Sequence, residues 1–546
     1  MRRWVHSRNW ILVIVLISVL SASGCGQESA KPKEVPKETK KQVTCVIPVA
    51  ATPKTLNPDW QKDDGANNVL ANVYSHLVTH DWGVAYSGYE PVYGDLAKSW
   101  DVSPDAKIYT FHLYPNVKWH DGKPLTSEDV KYTFDTIIAQ KYPYVSYLTD
   151  VKEIRTPDPN TVVIELVGPN AAFVPMLAQG AGWYGQIVPK HLYQGTDWQT
   201  SKVQEHPTGT GPFKFVSWDK PGNLVTLEAN KDYFRGPPAI DKLMFRFIAD
   251  SNTIRAAFDA GEVQTVPYTN MVSYDKVAKM LQDPAQKDLV VQTDSTYNYN
   301  LIFNVKNPPF DKLKVRQAIA YAMDRETLNK QAFAGTWTPR KIFGHTCLGD
   351  FLNPNAVAPD FNKAMAEKLL DEAGYPRKAD GKRFKVKFNV AAYDYVQSMA
   401  QMLVPQFQAI GIDVELLMGD QVSFNDRMSK SAFDVAIYYY RYDPDPDALR
   451  IAFGKGQPRN FTNWYNDEVD KLFVEARRTS DKSKRVEYYR KAQELIAKEM
   501  PIVPLEQENK FSLVAKGWTG FPVQKSGFNK SISWFGYYAL KPPATK

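Results

Sequence analysis

The chain has 546 residues, with 67 basic against 60 acidic side chains and a net charge of +7. Three of the basic residues are arginines ahead of Cys25, which leaves 64 against 60 beyond it; no basic block with interleaved aromatics follows, so the electrostatic footprint of a nucleic-acid binder is excluded. Three cysteines are too few for a disulfide-built scaffold, and about 500 residues beyond the N-terminal region exceed what one core supports, so two or three domains are expected.

Arg2, Arg3 and Arg8 precede an apolar run, Ile11 to Leu20, which is too short for a stable membrane span and is followed by small residues up to Cys25. This pattern reads as an export signal over 1–24. Residues 26–41 (GQESAKPKEVPKETKK) hold lysine, glutamate and proline but no aromatic side chain, so they read as a tether. Thr44 to Ala50 is a short apolar strand, 51–60 a proline-broken loop, and Leu70 to Val78 an expected helix. Tyr109, Phe111 and Leu113 alternate as a strand face, and Asp121-Gly122 closes a turn. Thr126 with Asp129 has the spacing of a capping box, ahead of Val130, Phe134 and Ile137 on one helical face.

Further along, Met365, Leu369 and Ala373 make an amphipathic helix that ends at Gly374, with Pro376 beyond. Phe384, Val386, Phe388 and Val390 alternate as a strand; Met399, Leu403, Phe407 and Ile410 follow as a helix, and Ile412 to Leu416 as a second strand, a βαβ unit. Val469, Leu472, Phe473 and Ala476 form another helical face. The fold class expected from these elements is α/β.

Signals for catalysis or metal binding are weak. His76 and His80 stand at helical spacing before Asp81, but no third ligand is adjacent, so capping or surface histidines are the expectation. Gly209-Thr210-Gly211 leads into Pro212 and a strand pattern, so it is a turn and not a phosphate cradle. His120-Asp121-Gly122 reads as a turn and not as an acid-base pair. No cofactor, no metal and no catalytic residue is expected.

The stretch that carries ligand chemistry is 433–450 (FDVAIYYYRYDPDPDALR). Asp434 to Ile437 reads as a buried strand. Tyr438, Tyr439, Tyr440 and Tyr442 add broad rings with polar tips around Arg441, and Asp443, Asp445 and Asp447 sit among prolines at the strand end, where ligands of α/β proteins gather. A solvated acidic turn beside core tyrosines fits the composition equally well. Tyr297, Asn298 and Asn300 are further candidates, since Asn amides offer both donors and acceptors; strand-edge packing is the alternative. Trp183, between flanking glycines, suits a pocket wall or an interlobe edge. Cys45 and Cys347 could pair or remain two buried thiols.

Several spaced words resemble the family 5 extracellular solute-binding proteins, the peptide- and nickel-type receptors of ABC importers. They include 94–103 (GDLAKSWDVS), 117–126 (VKWHDGKPLT), 209–215 (GTGPFKF), 230–234 (NKDYF), 308–311 (PPFD), 315–318 (VRQA), 373–376 (AGYP), 443–446 (DPDP), Arg485 and Tyr489. The resemblance spans about Gln42 to Val523. It implies a two-lobed periplasmic-binding-protein type II fold with an inserted domain: lobe I from 42–78, 207–289 and 510–546, the insertion 79–206, and lobe III 290–509. Two crossings would fall near Val291 to Tyr297 and Pro504 to Asn509. Separately, 22–25 (ASGC) resembles the lipobox of bacterial lipoproteins, with Cys25 as the lipidated residue; a retained N-terminal anchor, or ordinary secretory cleavage with Cys25 free, is the alternative. The implied protein is a non-catalytic, lipid-anchored, extracytoplasmic monomer that binds a peptide-like ligand and docks on permease subunits, with an oligosaccharide, opine or metal chelate as the alternative ligand and a secreted hydrolase as the rival class. Peptide-binding members carry an aspartate for the ligand's ammonium; alignment on Asp445-Pro446 puts Tyr442 there, one residue from Asp443.

Overall fold

The computed structural model describes residues 42–58, 63–80, 92–180, 184–266, 273–442, 445–457, 459–520 and 540–544. Cys25, Trp183 and Asp443 lie outside them.

Two four-stranded sheets build the N-terminal half. In the first, Thr44–Val49 runs parallel to Lys242–Phe247, which continues antiparallel to Leu224–Ala229 and then Phe213–Asp219. The second is antiparallel, in the order Ala97–Val102, Ile108–Leu113, Thr161–Leu166, Val151–Asp158. Ile47 and Phe245 of the first sheet share one apolar cluster with Tyr109, Phe111 and Leu113 of the second, the three side chains whose alternation marks that strand.

The helix expected at Leu70 to Val78 lies earlier, at Asp64–Val73. Asp63 caps it, its Oδ1 accepting from the Ala66 N–H at 2.8 Å, and Ala66, Val69, Leu70 and Val73 form its buried face. Asn67, Asn68 and Asn72 are also buried, and these polar letters hide the apolar period in the sequence. The segment expected as the last helical turn instead leads into the short strand Val78–His80, and the Leu77 and His76 carbonyls just before it accept from the Ala97 and Leu96 N–H groups. The capping box at Thr126 is present in both directions, and the helix Ser127–Gln140 buries Val130, Phe134 and Ile137.

His120 ties the 119–123 turn to the Gly209–Gly211 loop. Its Nδ1 accepts from the Gly209 N–H at 3.3 Å and its Nε2 lies 3.0 Å from the Gly211 carbonyl. Burial pulls this imidazole down to about 4, so it is neutral at physiological pH, and its hydrogen bonds fit a structural turn. Gly209 is required by close approach, because a Cβ there would stand 1.9 Å from the Val73 carbonyl oxygen.

The C-terminal half is built on a seven-stranded sheet. Its path runs Thr265–Val266, Ile502–Val514, Val290–Phe303, Val435–Arg441, Phe384–Ala391, Ile412–Gly419, with Thr338–Pro339 also paired to Ile502–Val514. Phe384–Ala391 and Ile412–Gly419 are parallel and joined by the helix Asp394–Ala409, the expected βαβ unit. Gly411 leaves that helix at φ +84, a conformation that glycine adopts without strain. Cys45 and Cys347 are both buried and are not joined in a disulfide.

The two long strands Val290–Phe303 and Ile502–Val514 pair antiparallel and connect two cores. At one end Phe511 and Leu513 pack with Ile254, Val277 and Met280. At the other, Leu301, Phe303, Ile502 and Leu505 enter a large cluster with Phe388, Leu403 and Phe473. Between these apolar ends the strands read Gln292 to Asn298 and Glu506 to Lys510, polar at nearly every position. A register shift falls in this stretch, between Asp294 and Asn298, the kind of bulge that bends a strand and re-aims its side chains.

Candidate functional site

The tyrosine run is the end of the strand Val435–Arg441. Its register against Val290–Phe303 pairs Tyr438 with Asn300, Tyr439 with Tyr299, Tyr440 with Asn298 and Arg441 with Tyr297. Opposed residues share a face and neighbours alternate, so the predicted set divides in two.

One face carries Asn298, Asn300 and Tyr440, each almost fully buried. The Asn298 amide donates to the Gly344 carbonyl at 2.6 Å and that of Asn300 to the Asn298 carbonyl at 2.7 Å. The Tyr440 ring packs 5.4 Å from Phe453. Tyr442, just past the strand, is buried as well; its N–H donates to the Thr296 carbonyl at 3.0 Å and its ring faces His345 at 6.1 Å. Burial pushes the Tyr442 phenol above its ordinary range. For these four residues the geometry is that of packing, the alternative left open by the sequence for the asparagines.

The opposite face carries Tyr297, Tyr299, Tyr439 and Arg441. Tyr297 and Tyr439 meet edge to face at 4.9 Å, and Tyr299 lies 5.7 Å from Tyr439, 5.7 Å from Tyr395 and 5.1 Å from Trp337. Tyr395 stacks on Tyr393 at 5.6 Å. Tyr439 is 37% and Tyr393 44% exposed, so this ring set opens to solvent while Tyr299 anchors it inside. Burial pushes the Tyr439 phenol up to about 12, so it stays a neutral donor and acceptor across the physiological range.

The crossing strand Ile502–Val514 lends charge to the same face. Glu508 accepts from the Ser295 hydroxyl at 3.0 Å, and its carboxylate ranks after burial among the causes that raise the Tyr299 and Tyr395 phenols. Lys510 holds its ammonium 5.2 Å over the Tyr297 ring and 3.9 Å from Glu508. Sequence reasoning missed Tyr393, Tyr395, Glu508 and Lys510. The alternation of charge in Glu506-Gln507-Glu508-Asn509-Lys510, set between apolar residues on a strand, was the available signal.

Two of the three aspartates in the proline-rich stretch are spent on structure. Arg485 Nη2 donates to both Asp445 oxygens, at 3.0 and 2.9 Å. Asp447 accepts from Arg450 Nε at 3.2 and 3.1 Å and from the Tyr489 hydroxyl at 3.2 Å. Burial works to raise the Asp447 carboxyl, but the Arg450 and Arg477 guanidinium groups overcome it and hold it below the ordinary range. Arg477 also donates to Asp150 at 2.7 Å and to Asn170 at 3.1 Å, a contact between the C-terminal helices and the N-terminal half.

His76 is buried, with its N–H on Asp95 at 2.6 Å, and no cluster of metal-ligating side chains occurs among the described residues. A surface groove of about 840 Å³ lies elsewhere, between Lys54–Leu56, Gln204–His206 and Phe215–Lys220, and includes none of the residues picked from the sequence. No helix among the described residues is long and apolar enough to cross a membrane.

Comparison with known proteins agrees with this architecture. The ABC transporter substrate-binding protein CtaP of Listeria monocytogenes superposes with a TM-score of 0.77 at 25% identity, over 92% of this chain and 99% of that one. The di/tripeptide-binding protein 1 of Pseudomonas aeruginosa is 28% identical over 465 residues, 80% of this chain and 84% of the relative. Heme-binding protein A of Haemophilus influenzae is 25% identical over 541 residues, 94% and 96% of the two chains. The expected periplasmic-binding-protein fold is therefore the one found. The family description for bacterial extracellular solute-binding proteins, family 5, matches residues 91–461, and the chain belongs to that family.

Proposed function

We propose that this protein is the peptide-binding subunit of an ABC importer, a receptor without catalytic activity that closes over its ligand and presents it to permease subunits. The observation that carries the reading is the open face of phenol rings, with Glu508 and Lys510 beside it, on the two polar strand segments that join two apolar cores. Rings with polar tips hold an extended backbone at low entropic cost, and a neighbouring acid and base suit its charged ends.

In this reading, the strands around Val291 to Tyr297 and Pro504 to Asn509 are the crossings between lobe I (42–78, 207–289, 510–546) and lobe III (290–509), with 79–206 as the insertion. Ligand is first held on one lobe and the other adds contacts as the crossings flex. Saturation with a tripeptide is expected to shrink the radius of gyration by small-angle scattering; an unchanged radius under saturation, with binding verified in the same sample, refutes closure. Native mass spectrometry of freshly purified protein tests the ligand class: co-purified peptide is expected, and a heme, sugar or metal chelate in its place overturns the peptide reading.

Residues 1–24 are read as the signal, and Cys25 as a lipidated N-terminus on the tether 25–41, which holds a monomeric receptor outside the cytoplasmic membrane. Cys25→Ser is expected to move the protein from the membrane fraction to the medium, since attachment then rests on a weak basic tether alone. Retention of the variant on membranes would refute lipid anchoring.

A further inference from the structure

Closing over a peptide with a free amino terminus buries an ammonium, and an unpaired buried ion is strongly disfavoured; the buried Tyr442 phenol offers it only a neutral oxygen. Asp445 and Asp447 hold arginines inside the protein. Glu506 has no exposed surface, neither of its oxygens makes a hydrogen bond, and burial raises its carboxyl to about 9, so it is protonated at neutral pH.

Glu508 differs from all three. It lies two residues along the same strand face, at the edge of the ring set, with a side chain still 11% exposed. The geometry around it already binds an ammonium, that of Lys510, which stands 5.2 Å over Tyr297 and 3.9 Å from the Glu508 carboxylate. A carboxylate beside an aromatic face is a favourable cation site, because Coulomb attraction and the ring quadrupole act together. The Tyr297 ring meets Tyr439 at 4.9 Å, and Tyr439 opens to solvent, so the path to the site runs along rings that can stack on a ligand.

We propose that Glu508 is the specificity-determining carboxylate that takes the ligand's α-ammonium against the Tyr297 ring, and that Lys510 is the internal cation which holds this place and yields it when ligand enters. The inference rests on the peptide reading above and goes beyond it by naming the charge partner. At 3.9 Å the contact between Lys510 and Glu508 is too long for a direct hydrogen bond, so a ligand ammonium that hydrogen-bonds the carboxylate gains an interaction this lysine contact lacks. Displacement of the lysine also frees a cation for a ligand carboxylate nearby.

The test uses the full-length mature protein, a mixed tripeptide library and the same library N-acetylated, with capture read by native mass spectrometry and affinity by calorimetry on one captured peptide. The parent protein is expected to take free-amine peptides at least tenfold more tightly than acetylated ones. Glu508→Gln is expected to abolish that preference and Glu508→Asp to keep part of it, a rescue by the conservative variant that a merely structural role would not produce. Equal binding of the two libraries by the parent, a preference that survives Glu508→Gln, or one lost only in Asp443→Asn overturns the proposal, and the first of these is read on the parent alone, independently of how any variant folds. Capture of neither library by the parent overturns the peptide reading, and this inference with it.

Discussion

Arg485→Met will destabilise the folded protein by about 3–5 kcal/mol in equilibrium denaturation, the scale on which removal of one partner from a buried ion pair acts. The Arg485 side chain is 1% exposed and that of Asp445 5%, so the lost guanidinium leaves a carboxylate with no access to water. Methionine keeps most of the packing against Tyr489 and Phe351, whose rings lie 5.7 and 5.6 Å from the guanidinium carbon, so the loss reports charge and not volume. The double variant Asp445→Leu with Arg485→Met is expected to recover most of it, because an apolar pair needs no compensation. A single-variant loss under about 1 kcal/mol would mean that Asp445 escapes by taking up a proton. The pair ties the helix Lys482–Glu499 to the loop at the end of the tyrosine strand.

Glu506→Gln is expected to act in the opposite direction. The folded-state carboxyl lies at about 9 against an ordinary 4.5, raised by burial, so the folded protein keeps a proton that the unfolded chain releases. The protonated side chain's contribution is complete below pH about 4.5 and falls as pH rises toward 9, by about 1.4 kcal/mol per unit. At pH 7 the deficit is therefore about 3 kcal/mol, and a glutamine, which has no proton to lose, should recover it. Denaturation of parent and variant at pH 5, 7 and 8.5 checks this: the curves should meet near pH 5 and separate progressively above it. Parallel pH profiles would show that Arg325, whose Nη2 makes no hydrogen bond within the protein, moves to pair with Glu506 as it ionises.

How far these effects could be read in advance depends on the range of the interaction. The capping box of Thr126 and Asp129 and the strand of Tyr109, Phe111 and Leu113 were legible, because each is decided within a few residues by hydrogen-bond reach or by the period of the backbone. The βαβ unit from Phe384 to Gly419 was legible for the same reason. The first helix was misplaced because its three buried asparagines erase the apolar period. Trp183 and Asp443 lie outside the described residues and remain as the sequence left them.

The tyrosine run shows where local reading stops. Its sequence by itself determined that Tyr438, Tyr439 and Tyr440 must alternate between two faces of a strand, since that follows from pleating alone. Which face stays open was decided by the tertiary structure: Asn298, Gly344 and Phe453 close around Tyr440, while Tyr297, Tyr393 and Tyr395 leave Tyr439 at the surface. The same holds for charge. Spaced motifs resembled those of family 5 solute-binding proteins, with carboxylates near strand ends, but Asp445 was assigned to Arg485, 40 residues away, and Glu508 to the ring set, only by the tertiary structure. A side chain's ionic partner is fixed by distance in space, and the energy of a charge depends on the burial that distant segments impose, neither of which a local stretch of sequence contains.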